Sequence, residues 1–413
     1  MDFSGPGLQL LPSPSDADHP CEGISSLSAA PRGGLLSFKC LRPNLDLELW
    51  VVSLQPAEVI ARLPLLGEEA IRADADTSET DSYWAPPAQT AVEWGQPIWS
   101  PSGRYLAYSA APLSPSSDVH IFDTSTRSNR QLTSGLTQTE ILGWSPDSHW
   151  IIHTSFLHSD VETFVEAVWA VSQDGSSIVK LYDVDEWIIN EWILGWESNN
   201  EVITSRSHFE ACNSDLRSTV IGAESELLVD RGFSDATFDP ISGSAVTANS
   251  TEFYCASPSP GLFALDTDTK EVRQIADSGF WGIDWSPSLA ALIAQSDSDM
   301  TSVVGRSGQI RLSLPDTQSL EPSPDGRWLL AHSDSGVGLL SSSGAMVNPS
   351  LASESATSAW HPNSSEFVLI RCPSCAHGPA YIRLYSLDSN WQLTTQRELP
   401  FPVIPTGLTL VRK

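Results

Sequence analysis

Lysine is scarce in this chain. Four lysines, at positions 39, 180, 270 and 413, accompany 18 arginines, and these 22 cations face 51 acidic side chains in 413 residues. The formal net charge is −29. Phosphate binding needs clustered Lys and Arg, so nucleic acid is not expected as a partner. No apolar run approaches the roughly 18 residues that span a bilayer as a helix, and no transmembrane segment is expected. The glycine patterns of P-loops and dinucleotide folds are missing, as is the Gly-x-Ser-x-Gly elbow of α/β hydrolases. With 40% hydrophobic residues, the chain has ample material for a packed core and is not a disordered polymer.

A repeat organises what is present. Trp99-Ser100-Pro101-Ser102-Gly103-Arg104-Tyr105-Leu106 recurs as Trp144-Ser145-Pro146-Asp147-Ser148-His149-Trp150-Ile151. It returns at Trp285-Ser286-Pro287-Ser288, at Pro322-Ser323-Pro324-Asp325-Gly326-Arg327-Trp328, and at Trp360-His361-Pro362-Asn363. Weaker copies stand at Trp196-Glu197-Ser198-Asn199 and Phe238-Asp239-Pro240-Ile241, and a degenerate one at Ala30-Pro31-Arg32-Gly33-Gly34. From Trp99 onward the copies are spaced by 45, 52, 42, 47, 37 and 38 residues. The wider first gap holds a Pro- and acid-rich insertion near 66–93. Each unit reads as four short strands, with the Ser-Pro-Asp-Gly stretch as the turn between the first two. Four strands per 40–50 residues, repeated, is the pattern of a β-propeller blade.

These Trp-Ser-Pro-Asp-Gly units resemble the blades of the TolB-like, WD40-like propeller group, a blade type also found in prolyl-oligopeptidase and dipeptidyl-peptidase propellers. The Trp-Asp and Gly-His pairs of the WD40 repeat proper are absent. The resemblance implies an all-β chain: a single propeller of eight four-stranded blades, or seven, over 24–400. An N-terminal segment, 1–23, and a strand-like tail, 401–413, flank it, and stretches 7–11 and 407–411 are candidates to complete a blade. Trp99, Trp144, Trp196, Trp285 and Trp360 are expected to pack between adjacent blades.

The blade plan gives the loops a direction. With the Ser-Pro-Asp-Gly turns on a lower face, the longer segments 110–118, 155–163, 183–193, 206–217, 249–260 and 371–380 fall on the upper one, where binding is expected. Segment 183–193 interleaves acids and aromatics, and Asp183, Asp185, Glu186, Trp187, Glu191 and Trp192 are the partner-binding candidates. Asp160, Glu162, Asp297 and Asp299 fall on upper loops as well.

The cysteines follow the same geometry. Cys212 and Cys255 occupy equivalent upper loops of successive units, Cys21 and Cys40 flank the first strand pair, and Cys372 and Cys375 share a loop. Bridges 21–40, 212–255 and 372–375 are expected. Cys372-Pro373-Ser374-Cys375-Ala376-His377 is at most half a zinc knuckle, because no second pair accompanies it. Neither the scattered histidines nor the Asp-rich turn at 296–299 forms a metal motif, and no metal or cofactor is expected.

The chain is therefore expected to be no enzyme. The expected role is a monomeric binding or scaffold protein that engages a protein or peptide partner through its upper face, the acidity favouring a basic one. The alternatives are a channel-sited hydrolase or lyase, a carbohydrate binder, or a detached propeller subunit of a peptidase. The first six residues have no basic or apolar leader character. Few lysines, many Ser and Thr and the acidity favour an extracytoplasmic location (periplasmic or secreted, the leader missing from this sequence) over a cytoplasmic one.

Overall fold

The computed structural model describes residues 23–31, 34–41, 47–54, 57–67, 92–93, 95–113, 116–135, 137–158, 163–184, 188–208, 214–233, 235–249, 260–296, 298–352, 356–360, 364–371, 380–387 and 393–401. The stretches 7–11 and 407–411 lie outside them.

Strands follow one another in eight four-stranded sheets, each in simple sequential order. The first comprises β1 (Gly23–Ala29), β2 (Leu35–Leu41), β3 (Leu47–Leu54) and β4 (Ala57–Pro64); the second, β5 (Ile98–Trp99), β6 (Tyr105–Ala110), β7 (Asp118–Asp123) and β8 (Ser128–Gln131). The third holds β9 (Gln138–Trp144), β10 (Trp150–His158), β11 (Thr163–Ser172) and β12 (Ile178–Asp183). The fourth holds β13 (Ile188–Trp196), β14 (Glu201–His208), β15 (Ser214–Val220) and β16 (Ser225–Phe233). The fifth is β17 (Asp235–Asp239), β18 (Ser244–Asn249), β19 (Gly261–Asp266) and β20 (Val272–Ala276). The sixth is β21 (Phe280–Ser286), β22 (Ala291–Ser296), β23 (Met300–Gly305) and β24 (Ile310–Pro315). The seventh is β25 (Ser319–Pro322), β26 (Trp328–Ser333), β27 (Gly336–Ser341) and β28 (Met346–Ala352). The eighth is β29 (Ala356–Trp360), β30 (Glu366–Arg371), β31 (Ala380–Leu387) and β32 (Leu393–Phe401). This is the all-β propeller class of four-stranded blades that the repeat implies, one sheet per sequence unit.

The chain divides into two compact units. One comprises Met1–Val202, Thr219–Glu226 and Pro405–Lys413; the other comprises Ile203–Ser218 and Leu227–Ile404.

The repeated motif is a turn that its own side chains build. Gly103, Ser148 and Gly326 donate their N–H to the carbonyls of Ser100, Ser145 and Ser323 at 2.8–2.9 Å. Proline at the second position presets φ for this bend. The fourth residue takes the left-handed conformation, at φ 71°, 64° and 69°. The serine hydroxyl then accepts the N–H of the residue that opens the next strand, Tyr105, Trp150 or Trp328, at 2.8–3.0 Å. Ser145 and Ser323 in turn donate to Asp147 and Asp325 at 2.6 and 2.7 Å.

Apolar cores lie between successive sheets. In the first unit, Leu49 and Val51 meet Trp99, Leu106, Tyr108 and Phe122. The next layer joins Ala107, Val119 and Ile121 to Ile141, Trp144, Ile151 and Val171. In the second unit, Val246 and Leu262 meet Phe280, Trp285 and Leu292, while Leu330 and Leu339 meet Phe367, Leu369 and Tyr385. Trp99, Trp144 and Trp285 are buried in these layers, and Trp196 and Trp360 pack against theirs.

Two repeat tryptophans also fasten sheets by hydrogen bonds. Trp144 Nε1 donates to the Ile98 carbonyl at 2.9 Å, and Trp360 Nε1 to that of Glu321 at 3.1 Å. Arg130 on β8 and Arg273 on β20 perform a matching task, donating to the carbonyls of Gln173 and Arg306 in the following sheet at 2.6 and 3.4 Å. The few cations of the chain are thus partly spent as staples.

The exit of the 66–93 insertion is pinned in the same way. Lys39 on β2 is 3% exposed, and its ammonium donates to the carbonyls of Val92, Glu93 and Gly95. Burial lowers its pKa to about 8, against an upward pull from Glu93. At the entrance, Gly67 N–H donates to Ala111 O at 3.0 Å and Ala111 N–H to Leu65 O at 2.7 Å.

Candidate functional site

Each sheet has two ends of different character. The turns from strand one to two and from three to four share one end; the two-to-three connections and the links to the next sheet share the other. At the turn end, acids are occupied by local bonds. Asp123 accepts both Nε and Nη2 of Arg104 at 3.1 and 2.7 Å, and that hydrogen bonding holds its carboxyl well below the ordinary range. Asp174 is lowered by the N–H and hydroxyl of Ser176 and the hydroxyl of Ser172, and Asp266 by Thr269.

In the sequence, the segments between strands differ in charge. Counted between the strand bounds, the turn-end segments hold eight acidic and six basic side chains. The segments that join strand two to three, or one sheet to the next, hold twenty acidic and two basic ones in the sequence, Arg42 and Arg72.

Segment 183–193 departs from the expected loop. β12 continues through Asp183 and β13 begins at Ile188, leaving only 184–187 as the connection. Strand pairing continues beyond the apolar core because Ile188 and Ile189 favour extended backbone whatever the neighbouring acids do. Asp183 is an exposed strand end bound to Lys180 at 2.7 Å. Trp192 lies within β13 and is 48% exposed, an unusual surface for an indole. Glu191 is on the same strand, while Asp185, Glu186 and Trp187 lie outside the described residues. Segments 155–163 and 206–217 shorten likewise, because β10 runs to His158 and β14 to His208. Asp299 follows β22, whereas Asp160, Glu162 and Asp297 lie outside the described residues.

Cys40 is fully buried and disulfide-bonded. Cys21, Cys212, Cys255, Cys372 and Cys375 lie outside the described residues, as does the half-knuckle His377. Among the described residues no group of three or more His, Cys, Asp and Glu could hold a metal ion, and no helix is long and apolar enough to cross a membrane.

Several buried polar groups escaped sequence reasoning. His120 stacks on Tyr108 with ring centroids 5.6 Å apart, and neither of its nitrogens has a hydrogen-bond partner among the described residues. Burial lowers its pKa to about 4, and that of His153 equally. Asp118 and Asp235 are pushed up to about 6 by burial, against hydrogen bonds from Thr133, Gly135 and Gln131 in the first case and from Ile283 and Ala236 in the second. Glu321 on β25, His332 on β26 and Ser358 on β29 meet at the Ser358 hydroxyl. Tyr108 faces His120 within one sheet, whereas Asp235 meets Ile283 and Glu321 meets Ser358 from neighbouring sheets, pairings that alternation along a single strand does not give.

No protein-family model and no curated protein sequence matches the chain. Solved structures do resemble it. The crystal structure of a eukaryotic initiation factor superposes with a TM-score of 0.59 at 10% identity, over 93% of this chain and 91% of that one. An oligogalacturonate lyase from Vibrio parahaemolyticus gives 0.45 at 12% identity, over 72% and 90%. Prolyl oligopeptidase B from Galerina marginata gives 0.49 at 11% identity, over 93% of this chain and 52% of that one. At such identities the likeness is one of fold.

Enzymes stand among these similar structures, so the expectation that the chain is no enzyme is corrected. The missing Gly-x-Ser-x-Gly elbow excludes one hydrolase architecture only. Side chains from several strands can converge without any local motif, and a fold does not decide between catalysis and binding.

Proposed function

We propose that this is a TolB-like propeller that binds a protein or peptide partner of basic character through the connection ends of its sheets. The observation that carries the reading is a division of charge along the sequence, twenty acids to two bases in the connecting segments against eight to six in the turn segments. Fields of one sign at loop-bearing ends speed encounter with oppositely charged partners and repel anionic ones. Asp183, Asp185, Glu186, Trp187, Glu191 and Trp192 are the proposed contact group, with the half-exposed Trp192 as its apolar member. Indoles with one wet face are favoured anchors in protein interfaces. An extracytoplasmic location accords with the disulfide at Cys40, because cytosolic thiols are kept reduced.

The test is affinity capture from the source organism at low and raised salt. The wild-type protein is compared with a variant carrying Asp183→Lys, Asp185→Lys, Glu186→Lys and Glu191→Lys. A basic protein retained only by the wild type, and released by salt, supports the reading. An identical set of captured proteins with the reversed variant sinks it.

A further inference from the structure

We propose that a second copy of this chain docks on the turn end of the fifth, sixth and seventh sheets, all of which lie in one compact unit. Val272, Ile310 and Met346 are the first residues of β20, β24 and β28, the fourth strands of those sheets. They are 61%, 50% and 55% exposed. Val347 beside Met346 is exposed as well, and so is Ile241 in the turn between β17 and β18. Single exposed aliphatic residues are ordinary on a protein surface. The same position on three consecutive sheets makes a row, and apolar rows bordered by polar residues mark interaction sites.

The row is continuous because neighbouring turns touch. A Cβ on Gly308 would stand 1.5 Å from the Ile275 carbonyl oxygen of β20, and one on Gly344 would stand 2.7 Å from Leu312 Cδ1 of β24. The turn before Ile310 thus lies on the strand that Val272 opens, and the turn before Met346 on the strand that Ile310 opens. Arg273 and Arg311, next to Val272 and Ile310, do not fence the row with charge. Their guanidinium groups turn back to the carbonyls of Arg306 and Leu289, at 3.4 and 3.0 Å. The fourth strand is also the edge of each of these sheets, a natural place for contact with another chain.

Charge selects the occupant. The turn segments of these three sheets hold three acids, Asp268, Glu271 and Asp325, and three bases, Lys270, Arg306 and Arg327. Two of the bases are paired within the chain, Arg306 with Asp239 and Arg327 with Asp325. In the sequence, the segments that follow the second and fourth strands of the same sheets hold seven acids and no base. Two chains of net charge −29 repel one another, and a locally neutral surface is where they can approach within a Debye length. Such a surface has no pull on a basic or an anionic partner. Aliphatic side chains that meet their own copies are self-complementary, as a two-fold contact requires. The chain is then a dimer and not the monomer expected from the sequence.

Sedimentation equilibrium tests the proposal between about 1 and 200 µM protein, at about 0.05 and 0.5 M salt. The wild type should dimerise, and about tenfold more tightly at the higher salt, because screening removes repulsion while apolar contact persists. Salt should release a basic partner instead, so this proposal and the partner reading fail separately. Val272→Glu with Ile310→Glu should weaken dimerisation about tenfold or more, since each buried carboxylate enters a two-fold interface twice. Met346→Glu with Val347→Glu should act likewise, and serves if the first variant fails to fold. Leu113→Glu, at a residue 82% exposed between β6 and β7, should leave dimerisation unchanged. A wild type that stays monomeric overturns the proposal, and its binding to neutral phosphatidylcholine vesicles would assign the row to a lipid surface. A dimer that salt dissolves, that survives both paired variants, or that Leu113→Glu also dissociates overturns it equally.

Discussion

Arg306 closes on Asp239 with both arms of its guanidinium, Nε to Oδ2 at 2.6 Å and Nη2 to Oδ1 at 3.1 Å. The two residues are 67 apart in sequence and belong to consecutive sheets. Asp239 also accepts Ile241 N–H and Ser242 Oγ, while the guanidinium lies 4.9 Å over the Trp285 ring. One side chain thus joins a turn, a neighbouring turn and a repeat tryptophan. The Asp239 carboxylate is only 3% exposed. Arg306→Met should therefore cost about 3 kcal/mol in urea unfolding, since it strands a buried charge. The double variant with Asp239→Asn should recover part of that loss, and equal losses for single and double variants would refute the argument.

Two glycines separate backbone strain from close approach. Gly34 and Gly326 both have positive φ, at 60° and 69°. A Cβ on Gly34 meets nothing within 4 Å, whereas one on Gly326 would stand 2.1 Å from the Ser288 carbonyl oxygen. Gly34→Ala should cost about 1 kcal/mol, the left-handed penalty alone. Gly326→Ala should cost clearly more, because two turns must move apart. Thermal unfolding of both variants distinguishes the two terms.

The tryptophan repeat hides unequal hydrogen bonds. Trp144 Nε1 reaches Ile98 O, but Trp99 Nε1 has no partner among the described residues. Trp144→Phe should lose about 1 kcal/mol more than Trp99→Phe, the ordinary worth of one hydrogen bond. Equal losses would mean that ring volume alone matters.

Acid should expose the buried imidazoles. His120 and His153 have folded pKa values of about 4, against an ordinary 6.5. Between those values the unfolded chain takes up protons that the folded chain does not, so stability falls as pH drops from about 6.5 to 4. Asp118 and Asp235, raised to about 6, act in the opposite sense and add stability as pH falls from 6 towards 4. His120→Gln should flatten the acid loss and Asp118→Asn should deepen it. Urea midpoints at pH 7, 6, 5 and 4 would show both.

The blade plan was legible because its determinants are local. Ser145, Asp147, Ser148 and Trp150 complete their turn within six residues, and the short apolar run Val119–Phe122 forms a buried strand. The limits of the strands were less legible. Ile188 to Trp192 read as an acidic loop and is a strand, because extended pairing depends on the partner β14, which periodicity cannot reveal. The exclusion of catalysis failed for a related reason: a local motif search is blind to side chains that converge from separate strands.

By itself the sequence determined the repeat, its four-stranded units and the turn chemistry. Each depends on residues within a few positions of one another, where backbone geometry and side-chain reach act directly. Tertiary structure alone decided where the scarce cations and buried polar groups go. Lys39 meets carbonyls 53 to 56 residues away, Arg306 an aspartate 67 away, and Glu321 a serine 37 away. Burial forces every such group to find a partner or shift its titration, and which partner is available is settled only when sheets pack against one another.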